Sequence, residues 1–425
     1  MDRRLFLGRV GTAAAATLPL SVLAANAPDV AAAPVELDRA KWSAPTRQAI
    51  EALIARHGKH SAGYTANRRP YAVFDWDNTC IMNDTEEALF MYQINKLAFR
   101  LTPEDFGTII RKGVPAGAFA ADYKNAEGQS VTLDAITADL DADYAYLHAN
   151  YRGMKGSKTL EEITADDHFI DFRAKLYYLY EAINDTHGPN IGYPWVIYFF
   201  ANMTRAEVAA LAEESNDNGL SDQIAKLKLA SAKSLPGKAG VVSVSHTRGL
   251  RLTPEIANLM EVLRRNGIDI YVSTASLEDV VRVFASLPKY GYHVAPENVI
   301  GLRLDMNGDV YQSAYRKNWP LNWGPGKSLT IRSELIATKG YGPIFVAGDS
   351  DGDYDMLRDF PETEVGLLVN RLKKGNIGSL CKLAAEQRGS NKPRFVMQGR
   401  FEVTGQWLPR EETLKLGQKE PKLLA

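Results

Sequence analysis

The sequence predicts an α/β fold: a mostly parallel sheet core interrupted by one large, mostly helical insertion. Three observations carry that prediction. Apolar runs rich in strand-forming residues end abruptly in acidic or hydroxyl residues at 71–74, 268–272 and 343–347. From about residue 250 onward, strand-like and helix-like patterns alternate. Between the first and second of those strands lies a long stretch dense in helical periodicity and poor in convincing strands.

The elements follow in order. Arg3-Arg4-Leu5-Phe6-Leu7 precedes a mild, Ala-rich apolar segment from Val10 to Ala25, and small residues then offer cleavage sites near Ala25-Asn26-Ala27 or Ala31-Ala32-Ala33. Charged start, apolar middle and small-residue end read as an export signal, and the paired arginines point to the twin-arginine pathway. The mature chain is therefore expected outside the cytoplasm, periplasmic or secreted, with the twin-arginine machinery as its export partner. A helical lead-in at about 45–57 precedes the strand Tyr71–Phe74. In the insertion, 168–184 and 204–214 read as helices, the second with Thr204 as N-cap and Glu207 closing a capping box. Past the insertion, Thr253 is expected to cap a helix that has Pro254 at its first position, an apolar stripe at Ile256, Leu259, Met260 and Leu263, and Gly267 at its end. The strand 268–272 runs into Ser273-Thr274-Ala275-Ser276, and a hairpin turns at Asn307-Gly308. A helix beginning near Lys327 leads to the strand 343–347, which runs into Gly348-Asp349, and the last strands are 365–369 and 395–398. The expected organisation is signal at 1–33, first part of the core at 34–84, insertion at 85–245, and second part of the core with a C-terminal extension at 246–425.

Composition narrows the function. With 50 basic and 51 acidic residues among 425, the net charge of −1 gives no support for nucleic-acid binding or a polybasic membrane patch. No later segment approaches the uninterrupted apolar length of a membrane span, so stable membrane insertion is not expected. Cys80 and Cys381 could pair in an oxidising compartment, but Cys80 adjoins the acidic motif, so free buried thiols are favoured.

The first strand ends in Asp75-Trp76-Asp77-Asn78-Thr79. Alternating side-chain directions turn Trp76 away from the direction shared by Asp75 and Asp77. Two neighbouring carboxylates repel unless a cation sits between them, and Mg²⁺ bound by carboxylates plus a substrate phosphate suits the position. Alone, an Asp-x-Asp pair is an ordinary solvated turn. Here Ser273, Lys327 and Gly348-Asp349-Ser350-Asp351-Gly352-Asp353 also fall at strand ends or helix starts, where a parallel sheet would gather them along one edge. Carboxylates, a hydroxyl and an ammonium are the inventory of phosphoryl transfer. Two rival motifs fail. Gly326-Lys327-Ser328 is no phosphate-binding P-loop, because the required upstream glycine is Leu321. The run from Asp349 is no calcium loop, because Gly352 sits at its fourth position and Phe360 at its twelfth.

Taken together, these four motifs resemble those of the haloacid dehalogenase-like superfamily of hydrolases, in order and spacing, from about residue 70 to 369. The resemblance implies a Rossmann-like core with a helical cap inserted between motifs one and two. It implies Asp75 as the nucleophile that forms a phospho-aspartate, and Asp77 as the acid and base that protonates the leaving alcohol and then activates water. Ser273 would bond a phosphoryl oxygen, with Thr274 as the less favoured substitute. Lys327 would neutralise nucleophile and phosphate. Asp75, the backbone carbonyl of Asp77 and Asp349 would hold Mg²⁺, with Asp353 as a further ligand or behind the ligands.

A narrower resemblance, to phosphorylcholine and phosphorylethanolamine phosphatases, rests on the Asp-Trp-Asp-Asn-Thr form, the exported chain and the Asp84-Thr85-Glu86-Glu87 run. It implies a small phosphate ester with a cationic leaving group. From the residues alone, Asp84, Glu86 and Glu87 stand close enough to motif one to read such a charge, with Asp84 and Glu87 as the binding candidates. The insertion's aromatics, Tyr177, Tyr178, Tyr180, Tyr193, Trp195, Tyr198, Phe199 and Phe200, could supply cation–π faces or simply pack its own core. Other readings keep the chemistry with phosphoserine or a sugar phosphate as substrate, or make the chain a non-catalytic exported binding protein.

Overall fold

The computed structural model describes residues 35–425. The expected signal at 1–33, with Arg3, Arg4 and the cleavage sites, lies outside the described residues. Among the described residues no helix is long and apolar enough to cross a membrane.

The core is a parallel sheet of six strands, numbered here along the chain: β1 Tyr71–Phe74, β2 Asp269–Leu277, β3 Val299–Leu302, β4 Phe345–Gly348, β5 Val365–Val369 and β6 Phe395–Gln398. Their spatial order is β6-β5-β4-β1-β2-β3. The chain winds outward from β1 in one direction through β2 and β3, then restarts at β4 on the other side. That reversal beside β1 is where such sheets open a crevice past their carboxyl ends. All four residues of β1 are buried, as a central parallel strand requires. Its two faces serve two cores. Ala72 and Phe74 pack with Ile50, Leu53, Ile256 and Leu259. Tyr71 and Val73 pack with Ile331, Leu335, Val346 and Met356.

The lead-in helix Ala44–His57, the helices Asp167–His187 and Arg205–Ser221, and the last two strands agree with expectation. Thr204 and Glu207 form the capping box. Both cysteines are free and buried. Three expectations are corrected. Thr253 makes no side-chain cap bond; its N–H instead donates to the Tyr292 hydroxyl at 3.0 Å, while Pro254 does open the helix. The strand after Gly267 runs on to Leu277, carrying Ser273 within it rather than at its end. The stretch read as helix-dominated also contains an antiparallel hairpin, Ala225–Ala230 with Ser243–Arg248. Its first strand alternates Lys and Leu without a β-branched residue, so propensity pointed to helix and pairing decided otherwise.

The helices between residues 85 and 221 surround an aromatic core that includes Phe90, Phe99, Phe106, Tyr144, Phe172, Trp195 and Phe199. Phe106 and Tyr144 stack at 4.0 Å with 10° between planes. Against that apolar core lies one buried charge group. Lys175, fully buried, bonds Asp139 at 2.9 Å and Asp171 at 2.7 Å, and donates to the carbonyls of Leu235 and Pro236. Asp139 in turn accepts the N–H groups of Lys238 and Ala239. This lysine therefore ties the hairpin's connection to two helices. Replacing it with Met leaves buried carboxylates uncompensated and should lower unfolding free energy by about 3–5 kcal/mol. Urea unfolding checks this; a loss below about 1 kcal/mol, the worth of an exposed pair, would show that the group is not buried in solution.

Candidate active site

The site forms where β1 meets β4. The Asp75 N–H still donates to the Ala347 carbonyl at 2.9 Å, so Asp75 is held in sheet register one residue past the strand. Trp76 turns the other way and is buried against Tyr292 and Phe284, with ring centres at 4.9 and 5.7 Å. That leaves Asp75 and Asp77 on the side of a cavity of about 480 Å³, which both of them line. At the end of β4, Asp353 folds back over Gly348. A Cβ at that glycine would lie 2.5 Å from the Asp353 Cβ, so the turn needs glycine there.

Lys327 is the centre of the charge arrangement. It is 1 % exposed, and its Nζ donates to Asp75 Oδ1 at 2.6 Å, Asp353 Oδ1 at 2.7 Å and the Ser273 carbonyl at 2.9 Å. Burial alone would push its pKa down, but the carboxylates of Asp353 and Asp75 more than offset this and hold it charged. Burial, followed by the nearby Asp353 carboxylate, pushes Asp75 up, and Lys327 opposes that shift. Asp77 is also pushed up by burial, against bonds from the Thr85 N–H at 2.7 Å and the Ser276 hydroxyl at 2.8 Å.

Asp75, Asp349 and Asp353 each place a carboxylate oxygen within 4.8 Å of the others. An all-oxygen set of this kind fits Mg²⁺. The three are not equivalent. All three have both oxygens hydrogen-bonded, but Asp353 is held by Lys327 at Oδ1 and by the backbone N–H groups of Asp349 and Ser350 at Oδ2. Asp75 Oδ2 and Asp349 Oδ1 instead converge on the Thr79 hydroxyl, at 2.8 and 3.3 Å. Asp75 and Asp349 are thus the pair best placed to bind a cation, with Asp353 behind them as the counter-charge to Lys327.

The opposite wall comes from the helix Thr85–Lys96 and from the insertion. Asp84, Glu86, Glu87, Tyr180 and Tyr193 line the cavity there. Asp84 caps the helix through the Glu87 N–H at 2.9 Å. Burial raises the pKa of all three acids, that of Glu86 to about 8. None of the three forms an ion pair among the described residues, and one Glu86 oxygen is buried without a hydrogen-bond partner. The Asp84 and Glu87 carboxylates lie near enough to Tyr180 and Tyr193 to raise their hydroxyl pKa values beyond the effect of burial. Of the other aromatics, Tyr177, Tyr178, Trp195, Phe199 and Phe200 are buried in the insertion's core and Tyr198 packs beside it.

The structure thus brings Asp75, Asp77, Asp84, Glu87, Lys327, Asp349 and Asp353 to one cavity. Ser273 is a correction. It is fully buried, its hydroxyl is bonded to Asn322, and it meets the site only through the carbonyl that accepts Lys327; Thr274 is likewise buried. Ala275 and Ser276 line the cavity in their place, where the pairing of β2 with β3 shifts register between Ser273 and Leu277. Arg371 was not anticipated. It follows β5 and donates to Asp349 Oδ2 at 2.5 Å. The signal was available, since it stands at a strand end like the other motifs, but a cation there matched no expected role.

No family model matches the chain. It is 26 % identical over 388 residues to a phosphorylcholine phosphatase of Pseudomonas aeruginosa, covering 84 % of this chain and 87 % of that one. It is 33 % identical to a conserved protein of unknown function from Anaerococcus prevotii, whose crystal structure superposes with a TM-score of 0.83 over 90 % of this chain and 99 % of that one.

Calorimetric titration of the chelator-treated protein with Mg²⁺ should show binding. Asp349→Ala should weaken it by about tenfold or more, since even groups behind metal ligands carry effects of that size. An affinity unchanged by that substitution would remove this cluster as the metal site.

Proposed function

We propose that this chain is a phosphatase of the haloacid dehalogenase-like superfamily whose substrate is a small phosphate monoester with a cationic leaving group, phosphorylcholine or phosphorylethanolamine. One observation carries the choice. Three carboxyl groups that form no ion pair among the described residues, two of them near tyrosine rings, line the same cavity of about 480 Å³ as Asp75. A quaternary or primary ammonium would pair with these carboxyl groups, and tyrosine faces attract such cations. The resemblance to the Pseudomonas aeruginosa phosphatase supports the same choice.

In the reaction proposed, an Asp75 oxygen attacks phosphorus and the bond to the leaving alkoxide breaks, while Asp77 passes its proton to that oxygen. Water then attacks the phospho-aspartate, Asp77 takes a proton from it, and orthophosphate leaves with Asp75 restored. Bonds from the Thr85 N–H and the Ser276 hydroxyl hold the Asp77 carboxyl in one orientation for both transfers. Lys327 balances the charge of Asp75 throughout. Mg²⁺, held by Asp75 and Asp349, would neutralise phosphoryl oxygens. We further propose that the insertion closes over the site as a cap that excludes water and selects the leaving group. Export by the twin-arginine pathway, leaving the enzyme periplasmic or secreted, belongs to the same proposal.

Asp75→Asn should reduce phosphate release from p-nitrophenyl phosphate to background while the melting temperature holds, because relieving carboxylate crowding offsets the lost ion pair. Near-normal turnover would exclude the covalent route. Glu87→Gln should lower kcat/KM for phosphorylcholine much more than for p-nitrophenyl phosphate, which has no cation at that end. The enclosed contact should be worth more than the ~0–1 kcal/mol of an exposed pair. If that ratio stays at its wild-type value in both Glu87→Gln and Asp84→Asn, the acidic wall does not read the leaving group.

A further inference from the structure

The segment after β6 takes no part in the reaction above, yet it reaches the site. Arg400 is 3 % exposed. Its Nη1 donates to the Asn78 carbonyl at 3.3 Å, and its Nη2 donates to Asn78 Oδ1 at 3.2 Å and to Glu402 at 3.0 Å. Asn78 lies one residue past Asp77 and adopts the left-handed conformation, with φ at 63°, which asparagine tolerates better than most non-glycine residues. The turn is closed locally by Asn78 N–H to the Asn83 carbonyl and Asn83 N–H to Asn78 Oδ1, both at 3.2 Å. Only Arg400 grips it from outside the loop through both backbone and side chain, among the described hydrogen bonds.

Arg400 is itself fixed. Its N–H donates to the Thr413 hydroxyl and its carbonyl accepts from Leu414, each at 3.0 Å. The same hydroxyl bonds the Asn370 carbonyl, and the Asn370 side chain holds the carbonyls of Glu411 and Leu423. A buried guanidinium is costly to keep, and here its Nε has no partner at all. Its contacts spend that cost on a turn adjoining Asp77. We propose that Arg400 is a positioning residue for the catalytic loop, holding the Asn78 turn and through it the placement of Asp77 relative to Asp75. The C-terminal segment is thereby a working part of the active site. This inference rests on the phosphatase reading given above.

The test compares wild type, Arg400→Met and Arg400→Lys in the full mature chain, with p-nitrophenyl phosphate turnover and calorimetric Mg²⁺ binding. Lysine keeps charge and stem but lacks the planar fork, so both variants should lose about tenfold or more in kcat with KM within about threefold, as a misplaced catalytic group does. Mg²⁺ affinity should also fall, because the Asp77 backbone belongs to the same loop. A kcat within twofold of wild type in either folded variant, or a loss confined to KM, overturns the proposal. So does failure of Arg400→Lys to fold, which would make the residue a determinant of the fold; if only Arg400→Met fails, Arg400→Lys decides. Absence of turnover in wild type would instead reject the phosphatase reading, and Mg²⁺ affinity would then judge Arg400 alone: weaker binding in the variants supports it, unchanged binding overturns it.

Discussion

The ammonium of Lys327, buried between Asp75 and Asp353, is what allows carboxylates from two strand ends to share one water-poor corner of the sheet. Without it, Asp75, Asp349 and Asp353 would crowd three like charges within 4.8 Å of one another with no cation among them to offset their repulsion. With it, the carboxylates divide their work. Asp353 anchors the lysine and the turn after β4, while Asp75 and Asp349 keep oxygens that face each other across the Thr79 hydroxyl. Arg371 supplies a second cation from the end of β5, at the far oxygen of Asp349.

The topology explains why these groups meet at all. Asp75 and Asp349 are 274 positions apart along the chain, but their strands are neighbours, with Phe74 in register with Ala347. Placing β1 between β2 and β4 puts the reversal of strand order beside Asp75. The insertion leaves the sheet immediately after β1 and returns before β2, so its first helix starts at the site. Asp84 both caps that helix and faces the cavity, which gives one residue a structural and a chemical reason to be acidic.

What was legible in the sequence follows from this geometry. Each catalytic candidate at a strand end follows an apolar run with few alternatives, so its place along one sheet edge could be read without coordinates. The direction of Trp76 followed from strand alternation and is found as expected. The failure at Ser273 has another source. The strand does not stop before it, so its hydroxyl turns into the protein towards Asn322, and no local signal marks how far a strand continues. The hairpin Ala225–Ala230 with Ser243–Arg248 was illegible because pairing across a long connection, rather than local propensity, makes it a sheet. Arg400 lay beyond sequence reasoning altogether, since its target Asn78 is 322 positions away and no motif links them.

On the proposed route, Asp75, neutralised by Lys327, forms a covalent bond to phosphorus during turnover. The most direct measurement is acid quench of the enzyme mixed with substrate and Mg²⁺, followed by mass analysis of the peptide that carries residue 75. A phosphoryl group on Asp75 should appear within the first turnover and persist when Asp77→Asn slows its hydrolysis. An unmodified Asp75 in an Asp77→Asn enzyme that still releases the leaving group, with orthophosphate formed in step, would contradict it.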